Sequence, residues 1–358
     1  MEQRSGGGGP ADRPPSIAAV AAAAGVSPTT VSHALSGSRS VRAETRERVI
    51  RVAEELGYTP NRLASGLRLQ RTGVIGLASD HIATTPFAGL IVQGAQEAAR
   101  ERGAVLMVVD SEGDPELEAR QLRSLIDHRV DGILLARMFH QHVPRPDALG
   151  STPAVLVDAV PESGWHVPSI APEEHSIATV AVEHLVEHGH RRIGLAMTTD
   201  DSLASRGREA GFHTALAEAG LGGTAPLVGR GSSDAAGGRS AGRRLLDRAA
   251  AERPTAIFCF NDQMAMGVYQ AASALGLAVP ADCSVVGVDD LGIVAAALDP
   301  GLTTVALPHR EMGRWGMATL LDLIDAGGQV DEAEQVRLRC ELVERASVAA
   351  PPDVRLRR

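Results

Sequence analysis

Residues 16–37 read Ser-Ile-Ala-Ala-Val-Ala-Ala-Ala-Ala-Gly-Val-Ser-Pro-Thr-Thr-Val-Ser-His-Ala-Leu-Ser-Gly, and this stretch decides the fold of the N-terminus. Ser16 can cap a helix whose apolar positions Ile17, Val20, Ala21 and Ala24 recur at helical spacing. Gly25 suits a positive φ, Val26 plugs the corner, Ser27 caps a second helix and Pro28 takes its first position, where a missing N–H costs nothing. On that second helix Val31, Ala34 and Leu35 turn back toward the first, leaving Pro28, Thr29, Ser32 and His33 outward. A third helix carries Val49, Val52, Ala53 and Leu56 on one face and stops at Gly57.

Three short amphipathic helices could be a small bundle for protein contacts, but the charge argues for nucleic acid. Residues 1–72 hold ten Arg and six acidic residues, a balance of +4, whereas the remainder holds 25 Arg and 38 acidic residues, a balance of −13. A basic module on an acidic chain attracts phosphate locally without binding it everywhere. Every basic residue is Arg, a bias of composition and not of mechanism.

Ala19-Val20-Ala21, Ala24-Gly25-Val26-Ser27, the run from Thr30 to Gly37, Thr45-Arg46-Glu47-Arg48-Val49 and Glu55-Leu56-Gly57-Tyr58-Thr59-Pro60-Asn61 resemble the DNA-binding domain of LacI/GalR-type bacterial repressors. The resemblance implies DNA contacts from Ser27, Pro28, Thr29, Thr30, Ser32 and His33 in the major groove. It further implies a hinge helix over 61–67 that forms only on operator DNA, with Asn61, Arg62, Ala64, Leu67 and Arg68 at the DNA and Leu67 wedged into the minor groove. Seven residues including Ser65-Gly66 are too few for a stable isolated helix, so DNA must drive its folding. Leu67 flanked by Arg62 and Arg68 suits an apolar wedge held by phosphate contacts; a plain linker is the alternative. Arg42 stands where the family has a capping Ser, so the third helix needs another cap or frays, and Arg42 is free to touch phosphate.

From Thr72 the pattern alternates between short apolar strands and helices. Strands are expected at 74–78, 105–109, 132–136, 154–158, 192–196, 256–260 and 284–289. Helices are expected at 88–102, 116–128, 176–188, 206–219, 241–251 and 263–275. Continuous apolar strands imply parallel sheets covered on both faces. The segments 183–185, 189–194, 208–212, 260–265, 284–290 and 302–305 resemble the periplasmic-binding-protein-like sensor of the same repressors. That likeness implies two lobes joined by three crossings, with 72–168 and 305–330 in the first lobe and the rest in the second. The expected layout is a tail at 1–14, a helix-turn-helix domain at 15–59, a hinge helix and linker at 60–71, a two-lobed sensing and dimerisation core at 72–350, and a tail at 351–358.

Ligand pockets in open α/β sheets form beyond the carboxyl ends of strands, where Asp80, Asp158, Asn261 and Asp289 fall. Carboxylates, an amide and an Arg are the groups that bind vicinal hydroxyls. The resemblance places the effector on Arg208, Asn261 and Asp289, lined by Asp80 and Asp158, with His309 as a final contact. Asn261 and Asp289 could equally be caps. The sugar-stacking aromatic of the family is missing before Gly237-Gly238, where Ser232-Ser233 stands, so Phe87, Trp165 or His81 must supply the stacking surface, and Phe87 could equally be core.

His184, His188 and His190 include a pair one helical turn apart, but no Cys or carboxylate pair stands near to complete a metal site, so none is expected and no cofactor is required. No nucleophile–base motif or phosphate loop occurs, which argues against an enzyme. Three scattered cysteines, no apolar h-region and no run of about eighteen apolar residues suit a cytoplasmic chain outside the membrane. The last residues carry no tetramer-forming heptad. The expectation is a homodimeric repressor, not an enzyme, that binds a pseudo-palindromic operator and senses a small molecule, a sugar, with a nucleoside or other metabolite as the alternative and a sugar-transport protein as the more remote one.

Overall fold

Ser16 accepts the Ala19 backbone N–H at 3.3 Å and opens α1 (Ile17–Ala24) of the N-terminal unit. Gly25 follows at φ +66° and lets the chain reverse, a conformation that costs a residue bearing a Cβ. Ser27 Oγ accepts from the Thr30 N–H at 3.1 Å and caps α2 (Pro28–Ser36). α3 (Ala43–Glu55) has Arg42 at its cap with no side-chain acceptor; only the Arg42 carbonyl engages the first turn. Val20, Ala21, Ala24, Val31, Ala34, Val49 and Ala53 form the core of the three helices. Leu56 is not in it: the residue closes the helix and is 41% exposed, because the core face of α3 ends at Ala53.

The computed structural model describes residues 16–36, 41–58, 71–223, 227–328 and 333–352. The chain divides into two units, Met1–Gly73 and Val74–Arg358. Among the described residues the second unit holds two six-stranded sheets. The first contains β1 (Val74–Ser79), β2 (Val105–Asp110), β3 (Gly132–Val143), β4 (Ala154–Pro161), β5 (Ser169–Pro172) and β11 (Gln335–Leu338). Its order is β11-β5-β4-β3-β1-β2, all parallel. On one face, α4 (Ala88–Glu101) and α10 (His309–Asp325) bury Ile91, Ala95, Met312 and Leu320. On the other, α5 (Pro115–Asp127) buries Leu122 and Leu125 against Ile133 and Leu135. Burial of each of the larger of these side chains contributes about 1.5–3 kcal/mol.

The second sheet contains β6 (Ile193–Thr198), β7 (Leu227–Gly231), β8 (Ala256–Cys259), β9 (Ser284–Asp289), β10 (Thr303–Ala306) and β12 (Glu341–Val343). Its order is β12-β10-β9-β8-β6-β7, with β12 alone antiparallel. α6 (Glu174–Glu187), α7 (Leu203–Glu218), α8 (Ala235–Leu246) and α9 (Asp262–Ala274) surround it. The chain passes between the lobes after β5, after β10 and after β11, three times as expected.

Several boundaries differ from the sequence reading, β3 running on to Val143 and β4 to Pro161 among them. The first lobe extends past 168 to take β5, and it reclaims β11, which pairs with β5 from Gln335↔Ser169 to Leu338↔Pro172. Also, α8 spans 235–246 and not 241–251. Gly237 and Gly238 read as loop but lie inside the helix, because a Cβ at Gly238 would strike the Met264 backbone and only glycine lets α8 approach α9. Asp234 caps it, accepting the Gly237 N–H at 2.7 Å.

Candidate functional site

At the DNA-reading helix, Ser27, Pro28 and Thr29 are exposed, Thr30, Ser32 and His33 are half-buried, and Arg42 is exposed. The Ser27 and Thr30 hydroxyls lie 2.9 Å apart, so both serve the helix start as well as facing outward. Asn61, Arg62, Ala64, Leu67 and Arg68 lie outside the described residues.

In the second unit the carboxyl ends of both sheets face one cavity. Asp158 on β4, Asp289 on β9, Asn261 before α9, Arg208 on α7, and Phe87 and His309 at the starts of α4 and α10 all line it. Asp158 at φ +53° and Asp289 at φ +112° hold left-handed backbone, a strain that L-residues keep only where the surroundings impose it. Arg208 is buried: its Nε donates to Glu174 Oε2 at 2.8 Å and its Nη1 to the Phe260 carbonyl at 2.6 Å, while its guanidinium stacks 4.6 Å from the Phe260 ring centre. Gly207 lets α7 close on α6 at Glu174, which a Cβ there would strike.

Asp80 does not line this cavity. Its Oδ1 accepts the Met138 N–H at 3.0 Å and its Oδ2 accepts from Gln141 Nε2 at 2.9 Å, where the β3–β4 register shifts between Ala136 and Gln141. Asp80 is thereby a positioning residue for the bend that carries Phe139 and His140 into the cavity wall.

Electrostatically the cavity is rich in carboxylate. Burial raises the Asp158 pKa well above its ordinary value, and nearby Glu174 adds to the effect. Burial does the same to Asp289, reinforced by Asp262. Arg208 keeps its charge: burial opposes it, yet Glu174 and Asp289 outweigh that and raise its pKa. Glu174 remains ionised because Arg208 and His140 overcome its burial. His309 is pushed down to about 3 by burial and by Arg208, and so is neutral at pH 7. Asp158 Oδ1, His140 Nε2 and both ring nitrogens of His309 have no hydrogen-bond partner among the described residues, while His140 Nδ1 faces Glu174 Oε1 at 3.3 Å.

Six of the seven expected effector residues therefore share one cavity. Phe87 has one ring face covered by His309, stacked at 4.2 Å between centres and 10° between planes. Trp165 packs under the α5 face of the first sheet and His81 lies beside Gly113, so neither lines the cavity. Asn261 caps α9 through the Met264 N–H at 2.8 Å and donates to the Ser233 carbonyl at 2.8 Å. Glu174, His140, Phe139 and Phe260 escaped the sequence reading as cavity groups. An acid in the first turn of a helix reads as a favourable dipole partner, so Glu174 carried no signal of its own. All three cysteines are buried free thiols. Among the described residues no helix is long and apolar enough to cross a membrane.

A helix-turn-helix unit in one chain with a two-lobed α/β body and a polar cleft defines a ligand-responsive DNA-binding regulator. Residues 16–61 match the family described as bacterial regulatory proteins, lacI family, and residues 182–348 match the periplasmic binding protein-like domain. The ribose operon repressor of Escherichia coli (strain K12) is 33% identical over 333 residues, 92% of this chain and 98% of that protein. The HTH-type transcriptional repressor PurR of Proteus mirabilis (strain HI4320) is 32% identical over 341 residues, 95% and 98% of the two chains. Among solved structures, a lac repressor dimer bound to operator and the anti-inducer ONPF superposes with a TM-score of 0.75 at 30% identity, covering 94% of this chain and all of that one. A complex of the transcriptional regulator CelR with cellobiose gives 0.67 at 32% identity over 93% of this chain and all of that one. The chain belongs to the LacI family of bacterial regulatory proteins, and it is a DNA-binding transcriptional repressor.

Proposed function

We propose that the chain works as a homodimer on a pseudo-palindromic operator in the cytoplasm, repressing genes of carbohydrate uptake or catabolism until a sugar enters the cleft. The reading rests on one observation above all. Asp158 and Asp289 come from opposite lobes, both hold left-handed backbone, Asp158 within β4 and Asp289 at the end of β9, and face the same space as Arg208. A polyol offers several O–H donors to such carboxylates and an acceptor to the guanidinium, whereas catalysis would need a nucleophile and base poised together. The sugar named in the CelR complex and in the ribose operon repressor supports the same class. A ligand contacting both lobes favours one lobe arrangement and so biases whether the segments at 61–67 can fold on DNA; Thr29 and His33 set base preference and Arg62 and Leu67 set affinity and bending.

A second reading, a nucleoside, draws on the cavity's aromatic rings. Phe139 is 40% exposed and could stack on a base. A thermal-shift screen of sugars, nucleosides and amino acids, followed by operator anisotropy with each hit, separates the two. A sugar that raises the midpoint and changes operator affinity is the expected result. A nucleoside hit transfers the reading to the second class, and hits that leave operator affinity unchanged overturn both.

A further inference from the structure

His184, His188 and His190 have no Cys or carboxylate pair near them in sequence to complete a metal site. The fold separates them. His190 is wholly buried, its ring nitrogens 2.9 Å from Thr255 Oγ1 and 3.0 Å from Ser284 Oγ, and both are used. His184 and His188 instead pack together at the end of α6, ring centres 4.3 Å apart. Glu344, 156 residues beyond His188 in sequence, arrives beside them immediately after β12.

We propose that His184, His188 and Glu344 form a zinc-binding site on the second lobe, outside the ligand cleft. One ligand atom from each residue lies within 4.8 Å of the other two. Tetrahedral zinc with bonds of about 2.0–2.2 Å spaces its ligands about 3.4 Å apart, a difference that side-chain rotation covers. His184 is 8% exposed, and its Nε2 has no hydrogen-bond partner among the described residues. His188 Nδ1 sits 2.8 Å from the His184 carbonyl, which makes Nδ1 the donor and leaves Nε2 with its lone pair, the arrangement that orients metal-binding imidazoles. Two imidazoles with one carboxylate select zinc or a similar transition ion over magnesium or calcium, which prefer all-oxygen shells. Three protein ligands leave a fourth position for water.

The ion would tie the segment after the third crossing to α6. Its presence is tested on the untagged full chain, freed of metal with chelator, by zinc calorimetry and by the visible spectrum of the cobalt(II) form. One ion per chain is expected, with a tetrahedral cobalt spectrum. His188→Gln and Glu344→Gln, both at partly or fully exposed positions, should each weaken zinc by tenfold or more without changing the circular dichroism. Asp158→Asn serves as the control, because His140, Asp158 and Glu174 also cluster within 4.8 Å in the cleft; it should leave zinc binding unchanged. The proposal fails if wild-type chain takes up no zinc at submillimolar concentration, if the His188 and Glu344 variants bind like wild type, or if Asp158→Asn is the change that abolishes binding.

Discussion

The two edges of the second sheet treat buried polar groups in opposite ways. At its amino edge His190, Thr255, Ser284 and Ser347 bond to one another and to backbone: Ser347 Oγ donates to the Val285 carbonyl at 2.6 Å and accepts the Thr303 N–H at 2.8 Å. At the carboxyl edge Asp289 is half-buried beside Asp262, Glu174 and Asp158, and across the cavity Asp158, His140 and His309 hold atoms without partners. Folding tolerates an unsatisfied buried group only at a cost, so the closed edge is architecture and the open one is where a ligand's own donors count. The distinction runs residue by residue. Asn261 and Asp262 stand at the open edge yet are fully engaged, Asp262 accepting from the Leu291 N–H at 2.7 Å and from Thr304 Oγ1 at 2.6 Å.

The largest effect expected from this contrast is at Arg208, the one strongly paired charge in the cleft. Arg208→Ala leaves Glu174 buried without its partner and should cost about 3–5 kcal/mol in denaturant unfolding. The double change with Glu174→Ala should recover most of that; a double variant as unstable as the single would mean that packing, not charge, is lost. Next comes pH at the closed edge. Burial lowers the His190 pKa from 6.5 to about 4, so the folded state binds fewer protons than the unfolded one between those values. Its contribution is complete above pH 6.5 and is lost as pH falls toward 4, about 3 kcal/mol at most. Unfolding free energy measured between pH 7 and 5 should therefore fall less steeply in His190→Gln than in wild type, and parallel slopes would refute the assignment.

Smaller and opposite in sign is Asp158→Asn. Asn accepts the left-handed backbone and removes a poorly compensated charge, so the unliganded protein should gain about 1–2 kcal/mol while its response to ligand drops. A loss of stability would place Asp158 with the architecture. The smallest change is Asn261→Ala, expected to cost about 1 kcal/mol as a lost helix cap with ligand affinity little altered. Calorimetry showing a tenfold loss of ligand affinity would return Asn261 to the binding groups.

Much of this was legible in the sequence, for identifiable reasons. Strand ends in a parallel sheet point to one side, so the apolar run ending at Asp289 placed it in the cleft; Asp158 reaches the same cleft although β4 continues past it to Pro161, and Ser16, Gly25 and Ser27 announced the helix termini through their chemistry. What escaped depends on distant contacts. His140 and Phe139 reach the cavity through a bend that Asp80 imposes from another strand, and Glu174 sits at a crossing whose position periodicity does not fix. Gly237 and Gly238 read as loop because their role, close approach to Met264, exists only in the packed pair of helices.

The three crossings also bear on inheritance. The first sheet draws its strands from 74–172 and 335–338, the second from 193–306 and 341–343. Neither lobe is a continuous stretch of gene, so no single recombination event can exchange one for its counterpart in a relative. The helix-turn-helix at 16–58 is continuous, and a single crossover can move it. Such a crossover pairs a helix-turn-helix with a whole new body, so operator and effector can be recombined in one step, whereas a change confined to one lobe must come another way.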